Sequence, residues 1–170
     1  MVITSRERAV WEALAEVADP EIPTISVVDL GVIRSVAFDG PRLTVELLPT
    51  FVGCPAIEVM QHDIGKRLHD FADEVVVEVS FAEPWTSDRI TPDGRERLRS
   101  SGFAPPIAIR AAPAASAFEA DALLSVLPIA TCPYCGSRNT TLENPFGPTL
   151  CRAIYHCADC RQPFEQFKAV

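Results

Sequence analysis

The sequence predicts an α+β protein, a small α-β-β-α-β sandwich followed by a C-terminal four-cysteine ribbon. Three observations predict it. Helical and strand-like patterns alternate over residues 1–103 in the order helix, strand, strand, helix, strand. Two Cys-x-x-Cys pairs, Cys132 with Cys135 and Cys157 with Cys160, lie close to the C-terminus. Between the sandwich and the ribbon, residues 104–130 are rich in Ala and Pro and read as a linker. The expected domains are therefore 1–103 and 131–170, joined by 104–130.

The first helix opens at Thr4, which with Glu7 fits a capping box. Val10, Trp11, Leu14 and Val17 then recur at helical spacing up to the break at Asp19-Pro20. Asp19-Pro-Glu-Ile-Pro23 is expected to be a rigid extended turn, because each proline restricts both itself and its predecessor. Two β-rich runs, 31–38 and 42–48, flank Asp39-Gly40, a strong hairpin signal. Residues 49–55 form a loop into a second helix striped by Ile57, Met60, Ile64 and Leu68, with Phe71 a turn later. Residues 75–81 are β-branched and largely apolar, a third strand, and both helices are expected on one face of the sheet. Residues 88–99 read as one short helix started by Thr91-Pro92.

With 170 residues and 48% hydrophobic content, the chain can bury a core. Its net charge of −8 is uneven: residues 1–103 carry 10 Lys/Arg against 18 Asp/Glu, and residues 130–170 carry 4 against 3. Phosphate binding needs a basic footprint, so nucleic acid is excluded as a partner class and protein partners are expected. No apolar run approaches the roughly 18 residues of a membrane span, and the N-terminal residues lack a secretory apolar core. Six cysteines in such a chain predict a reduced, cytoplasmic setting where thiols bind metal or react.

The ribbon spacing is Cys-x2-Cys-x21-Cys-x2-Cys. Each pair puts two thiolates on one tight turn, which Pro133 and Gly136 favour in the first. Two such turns close a tetrahedral S4 shell suited to structural Zn2+, with no open position. The gap exceeds the usual template of about 15–20 residues, an excess that a long hairpin absorbs. A disulfide pair and a rubredoxin-like iron site are the alternatives. The missing signal sequence weakens the first, and the lack of Gly after Cys160 weakens the second. His156 could replace a thiolate in a Cys3His shell. Cys151 is expected as a strand-buried thiol, with a second contact for a transferred metal as the alternative.

Cys54 lies in Gly53-Cys54-Pro55, directly before the second helix. Free N–H groups and the positive dipole end favour a thiolate there, which predicts a lowered thiol pKa. Pro55 suits the first helical position. A metal ligand, a nucleophile and a buried small hydrophobe all fit this placement. His62 and His69 share a face of the second helix and are expected in solvent. Trp85 is expected in the core, with a place beside Cys54 as the alternative.

Asp19-Pro20-Glu21, Val28-Asp-Leu-Gly-Val-Ile33, Thr50-x-x-Gly53-Cys54-Pro55 and Pro84-Trp85-Thr86 occur in the order found in the MIP18 (DUF59) family, which this part of the chain resembles. Ile90-Thr-Pro-Asp-Gly-Arg, then Gly102-Phe-Ala-Pro-Pro, then the ribbon ending Pro163-Phe-Glu-Gln-Phe-Lys168 narrow the match. Essentially the whole chain resembles the D-subunit family of the phenylacetyl-CoA epoxygenase (ring 1,2-epoxidase) systems of bacterial phenylacetate degradation. The resemblance implies a reactive or metal-handling cysteine at Cys54, an acidic turn at Asp19 and Glu21, and Zn2+ on Cys132, Cys135, Cys157 and Cys160. It implies an accessory factor that matures the diiron or iron–sulfur centres of the epoxygenase, with transient iron or an iron–sulfur cluster at Cys54. The implied partners are the oxygenase and reductase subunits and iron–sulfur assembly proteins, with a homo-oligomer left open.

The residues agree that this chain does not itself perform the epoxidation. They contain no paired Glu-x-x-His motifs, no plant-type iron–sulfur spacing and no G-x-G-x-x-G. Two alternatives remain open. One is a structural or regulatory subunit without metal handling. The other is an enzyme using Cys54 as a covalent nucleophile, which would need a base and an oxyanion site.

Overall fold

The computed structural model describes residues 4–51, 53–106 and 129–168. The chain divides into two compact units, Met1–Ser101 and Gly102–Ala169. No helix among the described residues is long and apolar enough to cross a membrane.

In the first unit, helix α1 (Ser5–Leu14) opens on the expected capping box. Glu7 N–H donates to Thr4 Oγ1 at 3.2 Å, and Thr4 N–H donates to the Glu7 carboxylate at 2.7 Å. Strands β1 (Ile33–Asp39) and β2 (Arg42–Leu47) pair antiparallel across Gly40, whose φ of 57° supplies the left-handed turn residue. Helix α2 (Ala56–Leu68) then crosses to strand β3 (Glu74–Val79), which pairs parallel to β2, giving the order β1-β2-β3. Alternation buries Leu43, Val45 and Leu47 with no exposure, and Val10, Leu14, Ile64 and Leu68 of the two helices are equally buried where α1 packs on β1 and on α2, and α2 on β3. The opposite face is polar: Arg34 and Ser35 both reach Glu46.

The single helix expected over 88–99 is two elements. A 3-10 turn (Ser87–Arg89) precedes helix α3 (Pro92–Ser100). Thr91 is extended, and its Oγ1 accepts from Gly94 N–H at 2.9 Å, so the helix cannot begin before Pro92. Helix α3 docks on Asp29. Thr91 donates through N–H to Asp29 O at 2.9 Å and through Oγ1 to the Asp29 carboxylate at 3.1 Å, while Arg97 Nε stands 3.4 Å from that carboxylate. A Cβ on Gly94 would lie 2.6 Å from Asp29 O. Gly31, at φ 70°, is equally pinned, because a Cβ there would lie 2.3 Å from Arg89 O. Two of the motifs that mark this sequence therefore serve each other's packing.

Among the described residues, the second unit holds a four-stranded sheet in the order β4-β7-β6-β5. Its strands are β4 (Phe103–Ala104), β5 (Thr140–Asn144), β6 (Arg152–Cys157) and β7 (Pro163–Phe167). Strands β5, β6 and β7 run antiparallel, and β4 pairs parallel to β7. Strand β4 corrects the expected boundary at 103/104, since both of its residues join the ribbon sheet and Ala104 is buried in its core. That core comprises Ala104, Ala130, Cys132, Ala153, Tyr155, Cys157 and Phe164. Residues 107–128, most of the expected linker, lie outside the described residues.

Candidate functional site

Two knuckles build the first site, and they repeat one backbone pattern. Cys132 N–H donates to Ser137 O at 2.9 Å and Gly136 N–H to Cys132 O at 2.9 Å. Twenty-five residues on, Cys157 N–H donates to Gln162 O at 3.0 Å and Arg161 N–H to Cys157 O at 2.8 Å. Each knuckle closes on a left-handed residue: Gly136 at φ 75°, and Arg161 at φ 59° in the place where Gly was missing from the sequence.

The four sulfurs converge within 4.8 Å of one another, with Cys132–Cys160 and Cys135–Cys157 each at 3.6 Å. A tetrahedral Zn2+ with bonds of about 2.3 Å would space its sulfurs about 3.8 Å apart, so the donor set fits the ion. Their protonation points the same way. Backbone N–H groups, Cys160's first, hold Cys157 down to about 7, while burial first and then neighbouring thiols push Cys160 up to about 12. Four adjacent sulfurs cannot all ionise without a cation to share.

His156 is not in the cluster. It is adjacent to Cys157 on β6, so their side chains point to opposite sheet faces, and Cys157 takes the buried one. Cys151 is buried just before β6 with Thr149 Oγ1 at 3.1 Å from its sulfur, also outside the cluster.

The second site is the loop before α2. Cys54 is half-buried, with Gly53 beside it at φ 81°. Helix α2 runs antiparallel to β3, as a crossover between parallel strands requires, so Cys54 lies at the end of the sheet where β2 and β3 finish. Pro55 is the N-cap residue, and the helix starts one position later than expected.

The expected lowering of the Cys54 pKa is wrong. N–H groups of Ala56 and Ile57 do favour the thiolate, but burial is the largest cause and raises the pKa, and the Glu21 and Asp19 carboxylates raise it further. Burial and two anions outweigh a helix terminus. Asp19 is itself buried. Its Oδ1 accepts from Glu21 N–H at 2.9 Å and Ile22 N–H at 2.8 Å, which fixes the acidic turn. The structure thus brings Cys54, Glu21 and Asp19 into one electrostatic neighbourhood. Their donor atoms do not converge to single-ion spacing, which among the described residues only the four ribbon cysteines do.

The remaining candidates have structural or solvent-exposed places. Trp85 is a core aromatic whose Nε1 donates to Leu30 O at 3.1 Å. His69 lies beyond the far end of α2 and pairs with Asp70 at 2.9 Å, and His62 is exposed on the helix, both in solvent as expected. Sequence reasoning missed Asp159, Ser137 and Asn139, which link the two knuckles. Their only trace was an Asp inside Cys-Ala-Asp-Cys and two small polar residues after Gly136.

Comparison with known proteins assigns both units. Residues 7–81 match the family model described as an iron-sulfur cluster assembly protein, and residues 120–168 match the PaaD zinc beta ribbon domain. A DUF59 domain of unknown function from Bacillus anthracis superposes with a TM-score of 0.52 at 26% identity, over 55% of this chain and 92% of that one. A conserved hypothetical protein from Thermotoga maritima is 28% identical with a TM-score of 0.48, over 58% and 98%. The class is therefore an iron–sulfur-assembly-type α+β domain followed by a zinc ribbon. A protein of Escherichia coli (strain K12) described as a putative D subunit of 1,2-phenylacetyl-CoA epoxidase is 38% identical over 162 residues, 95% of this chain and 92% of its own length. The chain belongs to that D-subunit family.

Proposed function

We propose that this chain matures the metal centres of a phenylacetyl-CoA epoxidase, acting at Cys54 with the Asp19–Glu21 turn, while the ribbon is a structural module holding Zn2+. The observation that carries the reading is the electrostatics of Cys54, a thiol kept protonated by burial and by two carboxylates within a domain of the assembly type. That combination is poor for a nucleophile, which needs a lowered pKa or an adjacent base. It is well suited to a cation. An arriving metal displaces the thiol proton to solvent as the sulfur–metal bond forms, and the same carboxylates that suppress the empty thiolate then attract the charge.

The cargo, iron or a cluster, is the substrate here. Because the Cys54, Asp19 and Glu21 donors do not converge, a held cargo completes its coordination with ligands from the client or donor protein. The clients are the oxygenase and reductase components, and iron–sulfur assembly proteins are the donors. In the ribbon, Cys132, Cys135, Cys157 and Cys160 would hold Zn2+, whose chemistry there is to tie the two knuckles together.

The test uses cells whose only copy carries Cys54→Ser. Their epoxidase should be assembled but short of iron or cluster, and growth on phenylacetate should fail. Normal metal content of both components in that strain would refute the reading.

A further inference from the structure

The backbone bonds of each knuckle fix the geometry within that knuckle, not the distance between the two. That distance decides whether four sulfurs meet at one ion. The β5–β6 ladder brings Thr140 opposite Cys157, and three further contacts outside the ligand set bridge the two turns themselves. Ser137 Oγ donates to Asp159 Oδ2 at 2.5 Å, Asn139 Nδ2 donates to Asp159 Oδ1 at 2.8 Å, and Ala158 N–H donates to Asn139 O at 2.9 Å. A fourth bond locks the donor side, from Asn139 N–H to Ser137 Oγ at 2.9 Å. Asp159 sits between Cys157 and Cys160, and Ser137 and Asn139 follow closely on Cys135, so each end of the bridge is anchored on a ligand-bearing turn.

We propose that Ser137, Asn139 and Asp159 form a positioning clamp for the metal centre, holding the two knuckles at the spacing that a tetrahedral S4 ion requires. The carboxylate suits this role because its two oxygens accept from two donors at once, so a single side chain fixes both the distance and the orientation of the second knuckle. Placing an anion beside a thiolate cluster does nothing to stabilise the sulfurs' own charge. Its use is geometric. Partners of metal ligands commonly contribute about 10–100-fold in metal affinity.

The experiment measures Zn2+ affinity of the full chain by competition with a chromophoric chelator, with the visible spectrum of the Co2+-substituted protein alongside. Asp159→Ala should weaken Zn2+ binding about 10–100-fold, while the Co2+ bands keep their tetrahedral, all-sulfur form because the ligands are untouched. Adding Asn139→Ala to Asp159→Ala should change little more, since both remove the same bridge. Asn144→Ala, which removes a side-chain bond to Phe146 N–H in the same unit, is the control and should stay within about twofold of the parent. Should Asp159→Ala fail to fold, Asp159→Asn replaces it. Its one oxygen still accepts from Ser137, so an intermediate loss is expected. Parent-like affinity in the Asp159 variants, or an equal loss in Asn144→Ala, would overturn the clamp.

Discussion

Arg161→Gly and Gly136→Ala alter the same position in the two knuckles, and they should shift the metal centre in opposite directions. Both residues are left-handed, at φ 59° and φ 75°. A side chain in that conformation costs roughly 1–2 kcal/mol, whereas glycine there costs about 0.5–1 kcal/mol in extra ordering on folding. A Cβ on Gly136 would meet nothing within 4 Å, so the backbone is the whole penalty at that site. The Arg161 side chain is exposed. Arg161→Gly therefore gains about 0.5–1 kcal/mol net, and Gly136→Ala loses as much. Metal-binding energy is folding energy in so small a ribbon, so these become about 2–5-fold tighter and 2–5-fold weaker Zn2+ binding. Chelator competition reads this directly, with thermal unfolding of the metal-loaded chain as a second measure. Weaker binding in Arg161→Gly, or no change in either variant, would refute the assignment of strain to that backbone position.

Three further outcomes follow from the two units. Cys132→Ser should lose its Zn2+ while Cys54→Ser keeps it, as measured by elemental analysis; loss in the Cys54 variant alone would reverse the site assignments. Glu21→Gln should let the Cys54 pKa fall and speed its alkylation by iodoacetamide at about pH 8, followed by site-resolved mass spectrometry. The folded parent holds that proton more tightly than the unfolded chain, so its stability should decline as pH rises above the ordinary thiol range of about 8.5; a rate unchanged by Glu21→Gln would remove the electrostatic argument. Gly94→Ala forces a Cβ to 2.6 Å from Asp29 O and should destabilise the first unit by about 1–3 kcal/mol in denaturant unfolding, whereas a neutral result would mean that α3 is not held where Asp29 places it.

What could be read from the sequence was local. The Thr4–Glu7 cap and the Asp39-Gly40 turn between two β-rich runs each depend on residues a few positions apart, and each forms as expected. The four sulfurs were also legible, because Cys-x-x-Cys spacing is itself a statement of geometry. What failed was non-local. The helix terminus beside Cys54 was visible, but Glu21, which lies thirty-three residues earlier in the chain, joins burial in reversing its effect. The short strand β4 was hidden because it straddles the expected boundary, Phe103 closing the first domain and Ala104 opening the Ala/Pro stretch, and only pairing with β7 makes them a strand. Asp29 and Gly94 stand in separate motifs, and nothing in their spacing hints that they touch. Arg161 was hidden for a different reason: left-handed backbone is normally announced by Gly, and here a neighbouring hydrogen-bond pattern imposes it on Arg.

The central claim is that this chain works before catalysis and not during it. The most direct test takes oxygenase and reductase components purified with full metal content and measures phenylacetyl-CoA epoxidation with this chain absent, then with it added back. The account predicts undiminished turnover without it, together with a requirement for it, and for its Cys54, when the same components are reactivated from the metal-free state. Loaded components that still need stoichiometric amounts of this chain for each turnover would contradict it and make the chain a working subunit of the epoxidase.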